Sequence, residues 1–253
     1  MAATHPSVDR QAVRERLRRV TDPELDRSIV DLEYLADLRV DGERVRIDLM
    51  LPTAWCSPAF AWMMAADSRD VVGHLAGVEM VTVHLRDHMH GEEISEGVNA
   101  GRAFQDVFDD AEDGVEAVRD DLDHKARLAR QYDAARALLD AGVTPEQAAT
   151  LSHRNLDLDA GQGQVAVYLD DREFSVVADA DPVVRYLRKA RERGLVTDPA
   201  DRLFRDADGE AIDPAAFESV YRETRLVRSN MEGQGEICAL LHQSRNGVEA
   251  RDD

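Results

Sequence analysis

Residues 21–56 read TDPELDRSIVDLEYLADLRVDGERVRIDLMLPTAWC. Pro23 has no N–H and biases Asp22 away from helix, so Asp22-Pro23-Glu24-Leu25 is a turn or a helix stop. Ile29-Val30-Asp31-Leu32 follows as a short apolar run. Leu38-Arg39-Val40 and Val45-Arg46-Ile47-Asp48-Leu49 alternate apolar and polar side chains, which is strand periodicity, and Asp41-Gly42 between them marks a hairpin. The second strand runs into Pro52-Thr53-Ala54-Trp55-Cys56-Ser57-Pro58, where a helical pattern begins. A cysteine on a strand-to-helix loop is the first candidate for chemistry.

Working outward, Val8 to Val20 reads as a helix, with Val13, Leu17 and Val20 on one side and Arg14, Arg16, Arg18 and Arg19 on the other. That arginine-rich face is a solvated surface or a contact for an acidic partner. Beyond the hairpin, Ser57 or Pro58 opens a helix to about Leu75, with Ser57 as its cap and Ala59, Trp62, Met63, Ala66 and Val71 as its apolar face. Val78 to Leu85 alternates as a third strand. The order helix, strand, strand, helix, strand makes a small α/β (α+β) domain whose crossover helix packs on a three-stranded sheet.

This region resembles the PaaD-like and SufT-like domain of iron–sulfur cluster assembly proteins, over roughly residues 8–100. The matching residues are Asp22-Pro23-Glu24, the run Ser28 to Leu32, the hairpin, Thr53, Cys56 and Pro58, and Ile94-Ser95-Glu96-Gly97 further on. The chain departs from the family at Glu33, where a Gly is usual, and at Cys56-Ser57-Pro58, where Cys is usually followed directly by Pro. The resemblance implies a compact α/β fold and an iron–sulfur cluster (or iron-site) maturation factor. It makes Cys56, Asp22, Glu24 and Thr53 the candidate binding residues, with Asp22 and Glu24 either contributing to the site or shaping the turn. The cargo is a transient iron–sulfur cluster or iron. The partners implied are a client metalloprotein, in particular a metal-dependent oxygenase or its reductase, and the assembly machinery.

A thiolate is the soft ligand that iron–sulfur clusters require, and a position at a helix N-terminus favours it. One cysteine does not hold a cluster that normally takes four ligands, so a homodimer, a client or a small thiol must supply the rest. That favours transfer over storage. The competing reading of Cys56 is a buried structural residue. In Asp87 to Gly97, His88 and His90 are candidate metal ligands beside carboxylates, since imidazole suits iron or zinc and an extended segment points both the same way. The alternative is a polar loop with solvated histidines.

The chain has 253 residues and a net charge of -20, with Lys125 and Lys189 the two lysines among its cations. General nucleic-acid binding is disfavoured because phosphate is repelled. With no apolar run near the length of a membrane span and no apolar core in Met1 to Arg19, the expectation is a cytoplasmic protein without a signal peptide or membrane contact. Two distant cysteines are no disulfide framework.

The division expected is residues 1–102 as the assembly domain, an acidic linker over 103–114 containing Asp106, Asp109, Asp110, Glu112 and Asp113, and a mixed, mainly helical domain over 115–253. Val115 to Ala141 reads as a long helix closed by Gly142. Thr144-Pro145-Glu146-Gln147 reads as a capping box with Pro at the first helical position. Gln164 to Leu169 and Glu173 to Val177 form a hairpin around Asp170-Asp171, Asp181-Pro182 opens a helix to Arg193, and Pro214 to Arg228 is a further helix. Cys238, within Gly233 to Leu241, reads as a small apolar core residue.

This half resembles the catalytic core of tyrosine recombinases in its order of elements and in the His-x-x-Arg spacing of His242-Gln243-Ser244-Arg245. It departs where Thr144 lies near the place of the first catalytic Arg, where the hairpin lacks a Lys, and where no Tyr follows Arg245. Strand cleavage needs that nucleophile and those cations. The resemblance therefore implies a catalytically dead relative that serves as a protein-docking module.

The chain shows no Gly-rich phosphate loop, Cys-x-x-Cys, Gly-x-Ser-x-Gly or His-Glu-x-x-His, so an enzyme is not expected. Two other readings stand beside the maturation factor. One is a non-catalytic adaptor that works through its C-terminal helices. The other is a DNA-binding regulator using residues 115–253, with salt-sensitive affinity.

Overall fold

The computed structural model describes residues 8–108, 114–161, 163–169 and 173–249. The turn Asp170-Asp171 and residues 109–113 of the acidic stretch lie outside them. The chain forms two compact units: residues 1–122 together with 233–253, and residues 123–232. The first thus takes in 103–122 and the last part of the chain, both of which the sequence reading left outside its assembly domain.

In the first unit, α1 (Arg10–Leu17) is capped by Asp9 and buries Val13 and Leu17. A two-residue ladder, β1 (Thr21–Asp22) with β2 (Arg27–Ser28), closes the Pro23 turn. Then β3 (Leu35–Asp41) pairs antiparallel with β4 (Arg44–Met50), and Asp41 pairs with Arg44 across the turn. Gly42 there has φ +59°, a conformation in which a Cβ is unwelcome. The crossover helix α2 (Pro58–Gly73) returns the chain so that β5 (Met80–Arg86) lies parallel to β4, giving the order β3-β4-β5.

The segment after that strand, expected to be extended, instead forms a third helix, α3 (Gly91–Asn99). It finishes the sheet edge. Asn99 accepts from the Val83 N–H at 2.9 Å and donates to the Val83 carbonyl at 2.8 Å, while the Ser95 hydroxyl accepts from Leu85 N at 3.0 Å. Those backbone groups face away from β4 and are otherwise an open invitation to strand pairing. Ser57 occupies the N-cap position of α2 without a side-chain hydrogen bond, so Pro58 rather than a Ser57 cap sets the helix start.

Central β4 is apolar on the core side through Val45, Ile47 and Leu49, yet it also buries Asp48. Burial pushes that carboxyl up, but hydrogen bonds from Arg46 and Arg86 outweigh it and hold the group below the usual carboxylate range. Arg46 Nε donates at 2.8 Å, and Arg86 forms a second ion pair from the neighbouring strand.

The second unit contains the rest of α4 (Glu116–Asp140), then α5 (Pro145–Thr150), the sheet β6 (Leu156–Asp157), β7 (Gln164–Leu169) and β8 (Phe174–Asp179), and α6 (Ala180–Glu192). Gly142, with φ +100°, ends α4, and Thr144 with Gln147 forms the expected reciprocal capping box. The unit is centred on Ala134, Leu138, Val165, Val167, Val183, Tyr186, Leu187 and Phe204.

The last helix, α7 (Phe217–Glu249), runs far past Arg228 and absorbs the segment holding Cys238. Residues His242 and Arg245, which carried the recombinase-like spacing, count with the first unit. His242 Nε2 meets the Glu33 carbonyl, and Arg245 donates to the carbonyls of Leu51 and Asp87. Both are packing contacts of the assembly domain, so they do not complete a recombinase-type centre in the second unit. Among the described residues no helix is long and apolar enough to cross a membrane.

Candidate iron–sulfur site

The loop between β4 and α2 starts on buried Leu51 and Pro52 and is tied beyond them through its main chain. Arg245 Nη1 donates to the Leu51 carbonyl at 2.7 Å. Met89 N donates to the Ala54 carbonyl at 3.0 Å, and His88 Nε2 donates to the Cys56 carbonyl at 2.9 Å. Within the loop, Thr53 Oγ1 accepts from Trp55 N at 3.3 Å and lies 3.4 Å from Cys56 Sγ. With one lone pair taken by that N–H, the hydroxyl proton is placed to donate to a thiolate. Thr53 and Cys56 are therefore brought together as the sequence suggested. Trp55 between them is 76% exposed.

Asp22 sits in the matched turn and is buried. Its Oδ1 accepts from Glu24 N at 2.9 Å and Leu25 N at 3.1 Å, so its first role is to shape the turn. Desolvation raises its pKa above the ordinary value of 3.8, against the lowering effect of those two hydrogen bonds. Glu24 accepts from Gln234 Nε2 at 3.0 Å, a partner on α7 that no local pattern announces.

The folded state of a carboxyl with a raised pKa takes up its proton before the unfolded state does. It costs stability at neutral pH, and that cost lifts as pH falls through the folded pKa toward 3.8. Asp22→Asn keeps an oxygen to accept both N–H groups. The expected result is a variant at least as stable as wild type at pH 7, with the gap closing as pH approaches about 4. Urea melts of both proteins across that range check this; a variant less stable by the same margin at every pH would refute it.

Tyr34 is the residue that sequence reasoning missed. It is 2% exposed, and its hydroxyl lies beside the buried Asp22 carboxyl. Its pKa is raised far above the ordinary phenol value, foremost by burial and then by Asp22, Cys238 and Cys56. The second cysteine thus belongs here. Cys238 is half-buried on α7 against the first unit's core. Its thiol is pushed up to about 11, mainly by burial, with Asp22, Glu24 and Cys56 adding repulsion. No local signal marks this pairing, because Gly233 and Gly235 make the surrounding segment look unlike helix.

Glu33 carries φ +61°, the left-handed conformation. That explains the glycine expected there in relatives of this domain, since a Cβ at such a position is strained. The chain carries the strain in a turn where the Tyr34 N–H bonds the Ile29 carbonyl at 2.9 Å and His242 meets the Glu33 carbonyl at 3.2 Å.

His88 and His90 do not form the metal pair that the sequence suggested. The segment is a turn leading into α3, not an extended strand. His88 Nδ1 accepts from His90 N at 3.1 Å, so Nε2 holds the proton it donates to Cys56, and neither nitrogen has a lone pair left for a metal. Its pKa is lowered, first by burial, which suits this neutral tautomer. His90 is turned edge-on to Phe108, with ring centres 5.4 Å apart. Among the described residues no three His, Cys, Asp or Glu side chains gather as a metal centre.

The sequence family described as iron-sulfur cluster assembly protein matches residues 10–85. An uncharacterized protein of Methanocaldococcus jannaschii is 32% identical over 90 residues, which is 35% of this chain and 93% of that protein. The family match falls on the unit that holds the Cys56 loop, the Pro23 turn and the β3-β4-β5 sheet. Through that unit, the chain belongs to the iron–sulfur cluster assembly protein family.

Proposed function

We propose that this chain hands an iron–sulfur cluster, or iron, to a metalloprotein client, with Cys56 as the thiolate that takes the metal. It acts as a carrier and maturation factor rather than an enzyme. The observation that supports this most is the Thr53–Cys56 contact of 3.4 Å on a loop tied by His88 and Arg245. A hydroxyl donating to a ligand sulfur stabilises the thiolate and tunes a bound cluster. The loop holds its sulfur ready without supplying a full ligand set, so the remaining positions fall to a client, a second copy of the chain or a small thiol. Exposed Trp55 beside it offers such a partner an aromatic contact. Metal-dependent oxygenase systems are the clients we propose.

The test is anaerobic reconstitution with ferrous iron and sulfide, read by absorbance and metal content, on wild type and Cys56→Ser. The expected result is substoichiometric cluster on wild type and at least a tenfold loss in the variant. Equal metal on both, or client maturation unchanged by the substitution, would leave a pure adaptor as the better account.

A further inference from the structure

Among the described residues, Asp26, Glu33 and Asp87 hold a left-handed backbone without being glycine, at φ +51°, +61° and +49°. Such conformations persist where the surroundings fix them. Side chains one turn apart on α7 hold two of the three. His242 Nε2 meets the Glu33 carbonyl at 3.2 Å, and Arg245 Nη2 donates to the Asp87 carbonyl at 2.6 Å. Arg245 reaches further: its Nη1 donates to the Leu51 carbonyl at 2.7 Å, and its guanidinium lies 3.7 Å from the Asp87 carboxylate. Leu51 opens the Cys56 loop, and Asp87 opens the stretch that carries His88 and Met89. These two stretches are joined by the bonds from Met89 N to the Ala54 carbonyl and from His88 to the Cys56 carbonyl. One guanidinium therefore places a donor on each side of the seam beside Cys56. Its side chain is 17% exposed, so water has little access to compete for either carbonyl.

We propose that Arg245 is a positioning residue for Cys56: by bridging Leu51 and Asp87 it fixes the two stretches against each other and so sets how the loop presents its sulfur to iron. On the reading of Cys56 as a ligand, on which this rests, the brace acts through the loops and not on the metal. A planar guanidinium suits the task, because its two terminal nitrogens are rigidly related and two carbonyls bound to them become so too. Groups that orient a ligand without touching the metal change its affinity as surely as the ligand does. The same contact holds Asp87 in its strained conformation. Arg245 lies beyond the matched residues 10–85, so the brace comes from a part of the chain outside the family match.

The experiment uses the full chain as wild type, Arg245→Ala, Arg245→Lys, Ser244→Ala and Cys56→Ser. Without metal, amide hydrogen exchange is followed at Met89, whose N–H bonds the Ala54 carbonyl, and at Ile47 in the central strand as a check on folding. Arg245→Ala is expected to speed Met89 exchange at least tenfold while Ile47 exchanges as in wild type. Arg245→Lys is expected to fall between the two, since an ammonium does not span both carbonyls as the fork does. After anaerobic reconstitution with ferrous iron and sulfide, Arg245→Ala is expected to hold at least threefold less iron, and the cluster it holds is expected to show an altered visible circular dichroism spectrum. A brace that served stability alone would leave that spectrum unchanged. Ser244→Ala, which loses a bond to the Leu240 carbonyl of its own helix, is expected to match wild type throughout. Wild-type Met89 exchange on Arg245→Ala, or wild-type iron and spectrum, would overturn the inference while leaving Cys56 in place. Equal acceleration at Met89 and Ile47 in both Arg245 variants would assign the residue to the fold as a whole and overturn it as well. Iron unaffected by Cys56→Ser would overturn the reading of Cys56, and this inference with it.

Discussion

Arg127→Ala is expected to destabilise the second unit by about 3–5 kcal/mol, summing hydrogen bonds to a charged donor with a cavity in a packed core. Arg127 is 0% exposed, an extreme position for a guanidinium. Its Nη2 donates to the Asp206 carbonyl at 2.8 Å and the Ala207 carbonyl at 3.4 Å. Its Nη1 reaches Gln131 Oε1 at 3.1 Å and the Arg205 carbonyl at 3.4 Å. Burial is the main cause of its lowered pKa. Gln131 extends the same function, donating to the Arg205 carbonyl at 2.7 Å, and its oxygen accepts from the Tyr186 hydroxyl at 3.2 Å. Together these side chains brace the turn that follows the isolated Arg205–Ala211 bridge. Truncation strips the Arg127 donors from the Asp206 and Ala207 carbonyls, while the Arg205 carbonyl keeps Gln131 and the Asp206 carbonyl keeps the Gly209 N–H at 3.2 Å. Arg127→Lys is expected to recover little, since one ammonium does not replace a planar fork over several acceptors. Urea unfolding with hydrogen exchange at residues 205–210 is the measurement; a loss under 1 kcal/mol would show that water repairs the turn.

Trp62→Ala is expected to cost the first unit about 3–5 kcal/mol, the usual range for removing a buried indole. Trp62 lies on α2 with its ring against Phe104 and Phe108, at centroid distances of 5.5 and 6.3 Å. It also rests on Gly97 of α3, where an added Cβ would meet Trp62 at 2.7 Å and Val107 at 2.8 Å. Gly97→Ala alone is therefore expected to cost about 1–3 kcal/mol through overpacking. The two changes do not add: without the indole, most of the Gly97→Ala cost disappears, and Val107 keeps the remainder. A double-mutant cycle by urea denaturation reads this directly. Strict additivity would mean that α3 moves away from α2 instead of pressing on it.

That contact also shows where sequence reading reaches its limit. The hairpin at Asp41-Gly42, the third strand and the Thr144 capping box were legible because each is written in a few adjacent residues. Helix α3 was not, because Gly91 and Gly97 argue against helix locally; Gly97 is there for the indole that packs on it. Cys56 was readable from its place on a strand-to-helix loop, and Thr53 through the family resemblance. Tyr34 drew no reading, since no local pattern shows that it is buried beside Asp22. His88 looked like a ligand because a histidine that braces a carbonyl has the same letter. The length of α7 and the placement of Cys238 were beyond local signals. Gln234 and Glu24 stand 210 residues apart, and Arg245 and Leu51 stand 194 apart.

Those separations bear on how the protein is made. The first unit is interrupted in sequence by residues 123–232. At synthesis rates of about 5–20 residues per second, roughly ten seconds pass between emergence of its first part and of the helix that returns to it. For that interval the nascent chain shows its Pro23 turn, Tyr34 and the Cys56 loop uncovered. Partners that bind the ribosome-bound chain thus meet a different surface from those that bind the finished protein.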